Sequence, residues 1–131
     1  MPSYYIGLGC QRNCPAHLLA DLLDTTLHRH GLSRAEVKGL ASIDHKADEP
    51  GLQQLAQALG LPLRLFSAAQ LAPFEPQLTH RSALAFAHTG CHGVAESAAL
   101  ALAGIGGQLL VPRQKNAQAT LALAQSPANP G

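Results

Sequence analysis

The chain has 131 residues, of which 47% are hydrophobic and 13% are charged, and its formal net charge is +1. A chain of this length and composition is expected to fold as one domain with an ordinary packed core. The small net charge, with two tyrosines, three phenylalanines and no tryptophan, argues against binding to nucleic acid or to an anionic membrane surface.

The start of the chain and its cysteine content indicate a cytoplasmic location. No basic segment followed by a long apolar stretch opens the sequence, so no signal peptide is expected. The longest uncharged run, Ser97–Pro112, is too short to cross a bilayer and is interrupted by glycines. An odd number of cysteines argues against a disulfide framework and for a reducing compartment. The sequence therefore predicts a soluble, cytoplasmic protein.

The first half of the chain alternates between strand-like and helix-like patterns. Leucines at spacings of three and four predict two amphipathic helices, one beginning near Pro15 and the other at Pro50. Short apolar runs bounded by polar turns predict the strands between them. The predicted elements are a strand over 3–8, a turn over 9–14, a helix ending at 31, a capped turn over 33–36, a strand over 40–43, a helix over 50–59 and a strand over 63–67.

The second half begins less regularly. A helical turn over 67–71 is predicted to stop at the prolines that follow, and Phe74–Leu84 is predicted to be an irregular loop. The remaining predicted elements are a helix over 94–103, a strand over 108–111, a loop over 112–118, a strand over 119–124 and a disordered tail over 125–131.

The order of these elements predicts the fold class. Strands that alternate with helices imply a mostly parallel sheet covered by helices. The last two strands are joined only by a loop, so they are expected to form an antiparallel edge. The predicted fold is a three-layer α/β domain over residues 1–124.

Three polar loops follow strands of this predicted sheet, over 9–14, 44–49 and 112–118. The carboxyl ends of parallel strands lie along one edge of a sheet, so we expect these loops to converge. Four cations brought to one edge suit a ligand with several carboxylates or phosphates, although surface loops are also polar simply because they meet water. The cations are Arg12, Lys46, Arg113 and Lys115, and the acidic residues beside them are Asp44, Asp48 and Glu49.

The segment GLGCQR, Gly7 to Arg12, only partly matches the dinucleotide-binding fingerprint. The third glycine of that motif would fall on Arg12, so the segment is not a Rossmann signature. A glycine turn before a helix is still able to receive an anion through backbone N–H groups, which makes Gly9 and Cys10 candidate ligand contacts. A tight turn without a ligand is the alternative interpretation.

Several acidic residues are candidates for acid–base chemistry or for ligand binding. Asp44 at the strand end is the better candidate for a general acid or base, and His45 is the alternative. Asp48 and Glu49 lie at a helix start, where the dipole favours ionised carboxylates, so they are predicted to cap the helix or to hold Lys46. Glu96 is either a ligand contact or a favourable acid in the first turn of its helix.

Cysteines and histidines suggest an alternative function of a different class. One cluster lies within residues 10–17, and the segment HTGCH, residues 88–92, supplies a second. Neither has the compact spacing of a structural zinc site, and ordinary thiols with surface histidines are the other interpretation. No resident cofactor is predicted. The alternative is a non-catalytic metal-handling or chaperone protein that uses Cys10, Cys14, His88 and Cys91.

Four segments, in order, closely resemble blocks of the CobE family, which is similar to the C-terminal domain of CbiG in cobalamin biosynthesis. They are GLGCQR, ASIDHKADEPGL, GVAESAAL and VPRQKNAQATLALA, and together they cover nearly the whole chain apart from the tail. The resemblance implies a role in building the corrin ring, with a tetrapyrrole that carries many carboxylates as the ligand. In CbiG-type proteins the associated step opens a ring-A lactone on a cobalt-precorrin and releases a two-carbon fragment.

The resemblance leaves the role in that step open. The chain is expected to bind a precorrin or corrinoid intermediate as a carrier, as an accessory to lactone opening or as a participant in it, with other enzymes of the pathway as possible partners. The predicted ligand-binding residues are Gly9, Cys10, Arg12, Asp44, Lys46, Asp48, Glu49, Glu96, Arg113, Gln114 and Lys115.

Overall fold

A computed structural model describes residues 3–44 and 49–126 of the chain. Among these residues, short 3-10 helices span Arg34–Glu36 and Ala72–Gln77. The longer elements, in chain order, are β1 (Tyr4–Cys10), α1 (Ala16–Arg29), β2 (Val37–Ile43), α2 (Pro50–Leu59), β3 (Leu63–Phe66), α3 (Ala68–Leu71), α4 (Ala83–Thr89), α5 (Val94–Ala103), β4 (Gln108–Lys115) and β5 (Ala119–Gln125).

The strands form one sheet in the order β3-β2-β1-β5-β4. β1, β2 and β3 are parallel, whereas β5 runs antiparallel to both β1 and β4. The predicted parallel block with an antiparallel edge made by the last two strands is therefore confirmed. Because β4 and β1 are both antiparallel to β5, they run in the same direction. β1, β2, β3 and β4 thus all finish at one end of the sheet, which we call the carboxyl end.

Helices cover both faces of the sheet, as the three-layer prediction requires. Alternate side chains of β1, including Ile6 and Leu8, lie in one core with the leucines of α1 and α2. On the opposite face, Ala41 and Ile43 of β2 pack with α5 and α3. Successive side chains of a strand point to opposite faces of the sheet, and the leucines of α1 lie along one side of that helix. Each face of the sheet therefore has its own hydrophobic core.

Helix α5 lies unusually close to the centre of the sheet. A Cβ atom added to Gly7 would lie 1.8 Å from the carbonyl oxygen of Ala95 and 2.6 Å from the amide nitrogen of Ala99. Only glycine lets a strand and a helix backbone approach this closely. The first turn of α5 is consequently held next to the carboxyl end of β1.

Several strands are longer than the sequence predicts, and β2 begins at Val37 rather than at Leu40. β1 continues through Gly9 and Cys10, so the turn that follows it is shorter than the predicted 9–14. β4 continues through Pro112 to Lys115, which reduces the predicted loop 112–118 to residues 116–118. Proline is tolerated within β4 because β4 is an edge strand whose pairing with β5 is irregular on both sides of Val111.

The segment predicted as an irregular loop over 74–84 contains more regular structure. The 3-10 helix Ala72–Gln77 holds both prolines, and α4 begins at Ala83 with a hydrogen bond from Ala85 N to Ser82 Oγ. At the other end of the chain, Ser126 N donates to Ser3 O, and the rest of the predicted tail, 127–131, lies outside the described residues. Within the described part of the chain, no helix has the length and apolar character needed to cross a membrane.

Candidate functional site

The three polar loops meet at the carboxyl end. Gln11 N, after β1, donates to Gln118 O of the β4–β5 turn at 2.8 Å. Asn13 N donates to Glu49 Oε2, at the start of α2, at 2.9 Å. These two hydrogen bonds join the loop after β1 to the loops on both sides of it. The predicted convergence is therefore confirmed.

The described cations of these loops lie at the carboxyl ends of β1 and β4, which are separated by β5. Arg12 is exposed in the loop that follows β1, and Lys115 is exposed as the last residue of β4. The register pairs Cys10 with Ala119 and Lys115 with Thr120, so the ends of β1 and β4 are level. Arg113 lies two residues earlier on β4 and is half-buried. The remaining predicted residues of this region, Lys46, His45 and Asp48, lie outside the described residues.

These cations are not neutralised within the described part of the chain. The ion pairs there join Glu96 to His80, and Glu75 to Arg81 and His92. None of them involves Arg12, Arg113 or Lys115. Within the described part of the chain, these three cations therefore have no ion-pair partner that competes with an anionic ligand.

A groove adjoins Lys115 on the α1 side of the sheet. Its volume is about 180 Å³, and it runs between α1 and the end of β4. Asn116 Nδ2 donates to Leu18 O and fixes one wall. Arg29 brings a further cation that the sequence analysis did not include. The helical spacing of its polar neighbours places them on one face of α1, but only the position of β4 makes that face part of a groove. The polar lining residues are Asp21, Thr25, Thr26, Arg29, Gln114, Lys115 and Asn116.

Glu49 and Gly9 have local packing roles at the carboxyl end. Glu49 is 8% exposed and precedes α2, as predicted, but its carboxylate binds the loop after β1 rather than its own helix. Gly9 lies in β1, where an added Cβ would fall 2.6 Å from Thr120 Oγ1. Ligand contacts by Gly9, Cys10 and Gln114 stay predictions.

Asp44 directly follows β2 and is exposed. The parallel register pairs Gly7 with Ala41, so Asp44 lies level with Cys10 at the carboxyl end. Its position agrees with the predicted site, and its proposed acid–base role stays a prediction.

Glu96 is 1% exposed and accepts several hydrogen bonds at the carboxyl end. The donors are Thr79 N at 2.8 Å, Thr79 Oγ1 at 2.5 Å, His80 N at 3.2 Å and Arg113 N at 2.9 Å. Burial alone would raise the pKa of Glu96, but these hydrogen bonds, led by the Thr79 hydroxyl, hold that pKa below its ordinary value. The ionised carboxylate thus ties α5 to β4 and to the segment 79–80. Direct contact between Glu96 and a ligand stays a prediction.

His80 is a residue that the sequence analysis missed. Its Nδ1 lies 2.7 Å from Thr79 Oγ1 and 3.6 Å from Glu96 Oε2, while its side chain is 44% exposed. No sequence signal indicated this arrangement, because residues 79 and 80 lie in a segment predicted to be irregular. The contact with Glu96 arises only when α5 packs beside that segment.

Cys14 and Cys91 of the alternative metal site lie on opposite faces of the sheet. Cys14 lies in the core beneath α1 and α2, whereas Cys91 lies in the core on the opposite face and contacts Ser97 Oγ. His92 stacks on Phe86 and pairs with Glu75, and the side chain of His88 lies outside the description. Among the described residues, no group of three or more His, Cys, Asp or Glu side chains is placed to hold a metal ion.

The fold defines a three-layer α/β domain whose loops meet at the carboxyl end of the sheet, where open α/β domains bind their ligands. Residues 4–124 match the family described as Cobalamin synthesis G C-terminus, and the chain belongs to this family. It is a cobalamin biosynthesis protein related to the C-terminal region of cobalt-precorrin-5A hydrolases.

Individual relatives agree with this membership. Protein CobE of a Sinorhizobium species is 40% identical over 91% of this chain and 77% of its own length. The crystal structure of CobE, a protein from the cobalamin (vitamin B12) biosynthetic pathway, superimposes with a TM-score of 0.90 at 47% identity, over 95% of this chain and 90% of that one. Cobalt-precorrin-5A hydrolase of Priestia megaterium is 32% identical over 93% of this chain, which spans only 32% of the hydrolase.

Proposed function

We propose that the chain binds a polycarboxylate corrinoid intermediate at the carboxyl end of the sheet. The observation that carries this proposal is the set of cations on loops that meet there, with no carboxylate partner among the described residues. Arg12, Arg113 and Lys115 hold carboxylates of the ligand. Each charge-assisted hydrogen bond of this kind contributes about 1.5–3 kcal/mol.

The spacing of the cations suits a large ligand that carries several carboxylates. Arg12 follows β1 and Lys115 ends β4, and β5 lies between these strands. Two strand spacings separate their backbones by roughly 10 Å. A macrocycle with carboxylates around its rim can meet each of these cations with a different carboxylate. The groove between α1 and β4 offers room for one carboxylate arm, beside Arg29.

Family membership supports the choice of ligand. The relatives named above include a protein of the cobalamin pathway and a cobalt-precorrin hydrolase. The bound intermediate is either released unchanged, as from a carrier, or hydrolysed as in ring-A lactone opening. Mass spectrometry of the ligand after incubation separates these two, because lactone opening adds one water molecule to the mass of the ligand and release of the two-carbon fragment then lowers that mass.

The proposal is tested by a visible-absorbance titration with hydrogenobyrinic acid, a metal-free corrin with carboxylate side chains, at one fixed ionic strength. The Arg12→Ala/Lys115→Ala variant is expected to bind at least 100-fold more weakly than the unmodified chain, because it loses two charged contacts of about 1.5–3 kcal/mol each.

The matched control is Arg34→Ala/Lys38→Ala, which removes the same charge from the 3-10 helix before β2 and from the start of that strand. Both of its residues are exposed. This control is expected to bind within about twofold of the unmodified chain, since it changes only the long-range field. Equal losses in the two variants would place the ligand elsewhere. No binding by the unmodified chain would contradict the proposed function itself.

A further inference from the structure

The hydrogen bonds around Thr79 determine which nitrogen of His80 carries a proton. A threonine hydroxyl has one hydrogen to donate, and an ionised carboxylate only accepts. Thr79 therefore donates to Glu96 Oε2, so its oxygen accepts from His80 Nδ1 across the 2.7 Å contact. In the neutral imidazole this leaves the lone pair on Nε2, on the far side of the ring.

His80 lies at the same end of the molecule as the proposed ligand site. Its backbone nitrogen and Arg113 N of β4 both donate to Glu96. Its carbonyl oxygen is 3.1 Å from the position that a Cβ on Gly93 would take, directly before α5. The backbone bonds hold the segment in place, while the partly exposed ring is not needed for that purpose. A partly exposed imidazole, held by its contact with Thr79, therefore lies near Arg113 at the carboxyl end.

We propose that His80 is a general base that activates water against a lactone or ester carbonyl of the bound corrinoid, with Thr79 and Glu96 as positioning residues. This inference rests on the proposed function. The arrangement follows the logic by which a buried carboxylate orients a catalytic histidine and stabilises its imidazolium, here with a hydroxyl between the two.

The reaction uses only water as co-reactant. Nε2 of His80 accepts a proton from the water molecule while the water oxygen forms a bond to the lactone carbonyl carbon. The ring C–O bond then breaks, and its oxygen takes the proton back from Nε2. The product carries a free hydroxyl and a carboxylic acid, and the imidazole is neutral again.

The first test does not depend on a ligand. Nitrogen-15 NMR of the unmodified chain is expected to show His80 as the Nδ1–H tautomer, with its signal assigned by its loss in His80→Gln. Thr79→Ser keeps the hydroxyl and should keep this tautomer. Thr79→Val removes the acceptor for Nδ1–H and should abolish the preference for this tautomer. A His80 ring with its proton on Nε2 in the unmodified chain would overturn the inference.

The second test measures binding and turnover together with cobalt-precorrin-5A as the probe. His80→Gln is expected to lower hydrolysis by about 100-fold or more, the usual range for general-base catalysis, while binding stays within about twofold. Binding without turnover by the unmodified chain would overturn the role of His80 and leave the proposed function standing. Absence of binding would instead contradict the proposed function, and the catalytic role with it.

Discussion

At the scale of single residues, Glu96 is the clearest case of a side chain whose role depends on its surroundings. It is an acid in the first turn of α5, as the sequence indicates, yet it is buried and hydrogen-bonded to two other segments. Helix position alone predicts an acid there for its interaction with the dipole. The donors from residues 79, 80 and 113 are far away in sequence, so no local pattern reveals them.

Stability is expected to fall in acid because of Glu96 and Glu75. Hydrogen bonds hold the pKa of both carboxyls below their ordinary value of 4.5, although burial opposes this. The unfolded chain therefore binds more protons than the folded chain between the ordinary pKa and the lower folded pKa. The stabilisation is present above pH 4.5 and is lost as the pH falls through the folded pKa values.

Chemical denaturation of the unmodified chain and of Glu96→Gln, from neutral to acidic pH, measures this effect. The substitution is expected to lower the free energy of unfolding by about 1–3 kcal/mol at neutral pH. The amide nitrogen of glutamine cannot accept a hydrogen bond, so one donor that binds the Glu96 carboxylate loses its acceptor. It should also reduce the loss of stability in acid. Glu36→Gln, on a short 3-10 helix, is the control and should change neither quantity. An unchanged acid response in Glu96→Gln would mean that the carboxyl of Glu96 does not control it.

At the scale of secondary-structure elements, local patterns predicted most of the fold. Leucine spacing, a proline at the start of α2 and the glycine after it were sufficient to place the long helices correctly. The errors have physical causes. Pro112 ends a strand in most settings but is accommodated in the edge strand β4, and α4 is a short helix whose capping serine does not stand out among other polar residues.

Gly7 shows how one residue sets the packing of an element. The sequence predicts Gly7 in the first strand, which the structure confirms, but it does not show that α5 lies directly over this residue. Gly7→Ala is expected to destabilise the chain by about 3 kcal/mol or more, because the added methyl group meets helix backbone rather than a movable side chain. The free energy of unfolding in urea measures this cost.

The matched control is Gly39→Ala, on the neighbouring strand β2. There the nearest atom to an added Cβ is Leu102 Cδ2 at 3.2 Å, the end of a flexible side chain. The cost is expected to be below about 1 kcal/mol, partly offset by the lower entropy of the unfolded chain. Similar costs for the two substitutions would show that the approach of α5 to Gly7 does not limit the packing.

At the scale of the whole molecule, the parallel direction of the strands predicts which end of the sheet carries the candidate site. The rule that strand ends share one edge of a sheet was enough to bring Arg12, Glu49 and Lys115 together, and two loop–loop hydrogen bonds confirm that meeting. The rule says nothing about residues that reach the site from a helix face or an irregular segment. Arg29 and His80 could not be predicted, since their positions depend on how α1 and α5 pack.

The separation of Arg12 and Lys115 also predicts how they act on a ligand. If the two hold different carboxylates, their contributions to affinity are independent, because groups roughly 10 Å apart without a shared partner are usually additive. In a double-mutant cycle with hydrogenobyrinic acid, Arg12→Ala and Lys115→Ala should each weaken binding, and the double variant should lose the sum to within about 0.5 kcal/mol.

A coupling energy well above that limit would mean that both cations hold one carboxylate, with their long side chains extended towards it. Repeating the cycle at higher ionic strength distinguishes direct ion pairs with the ligand from long-range electrostatic attraction. Direct, partly desolvated ion pairs keep most of their contribution to affinity in salt. If the effects of both substitutions on affinity disappear in salt, the two cations act only by long-range attraction. Additive losses that persist in salt therefore identify a ligand wide enough to span β1 and β4, as a carboxylate-rimmed macrocycle does.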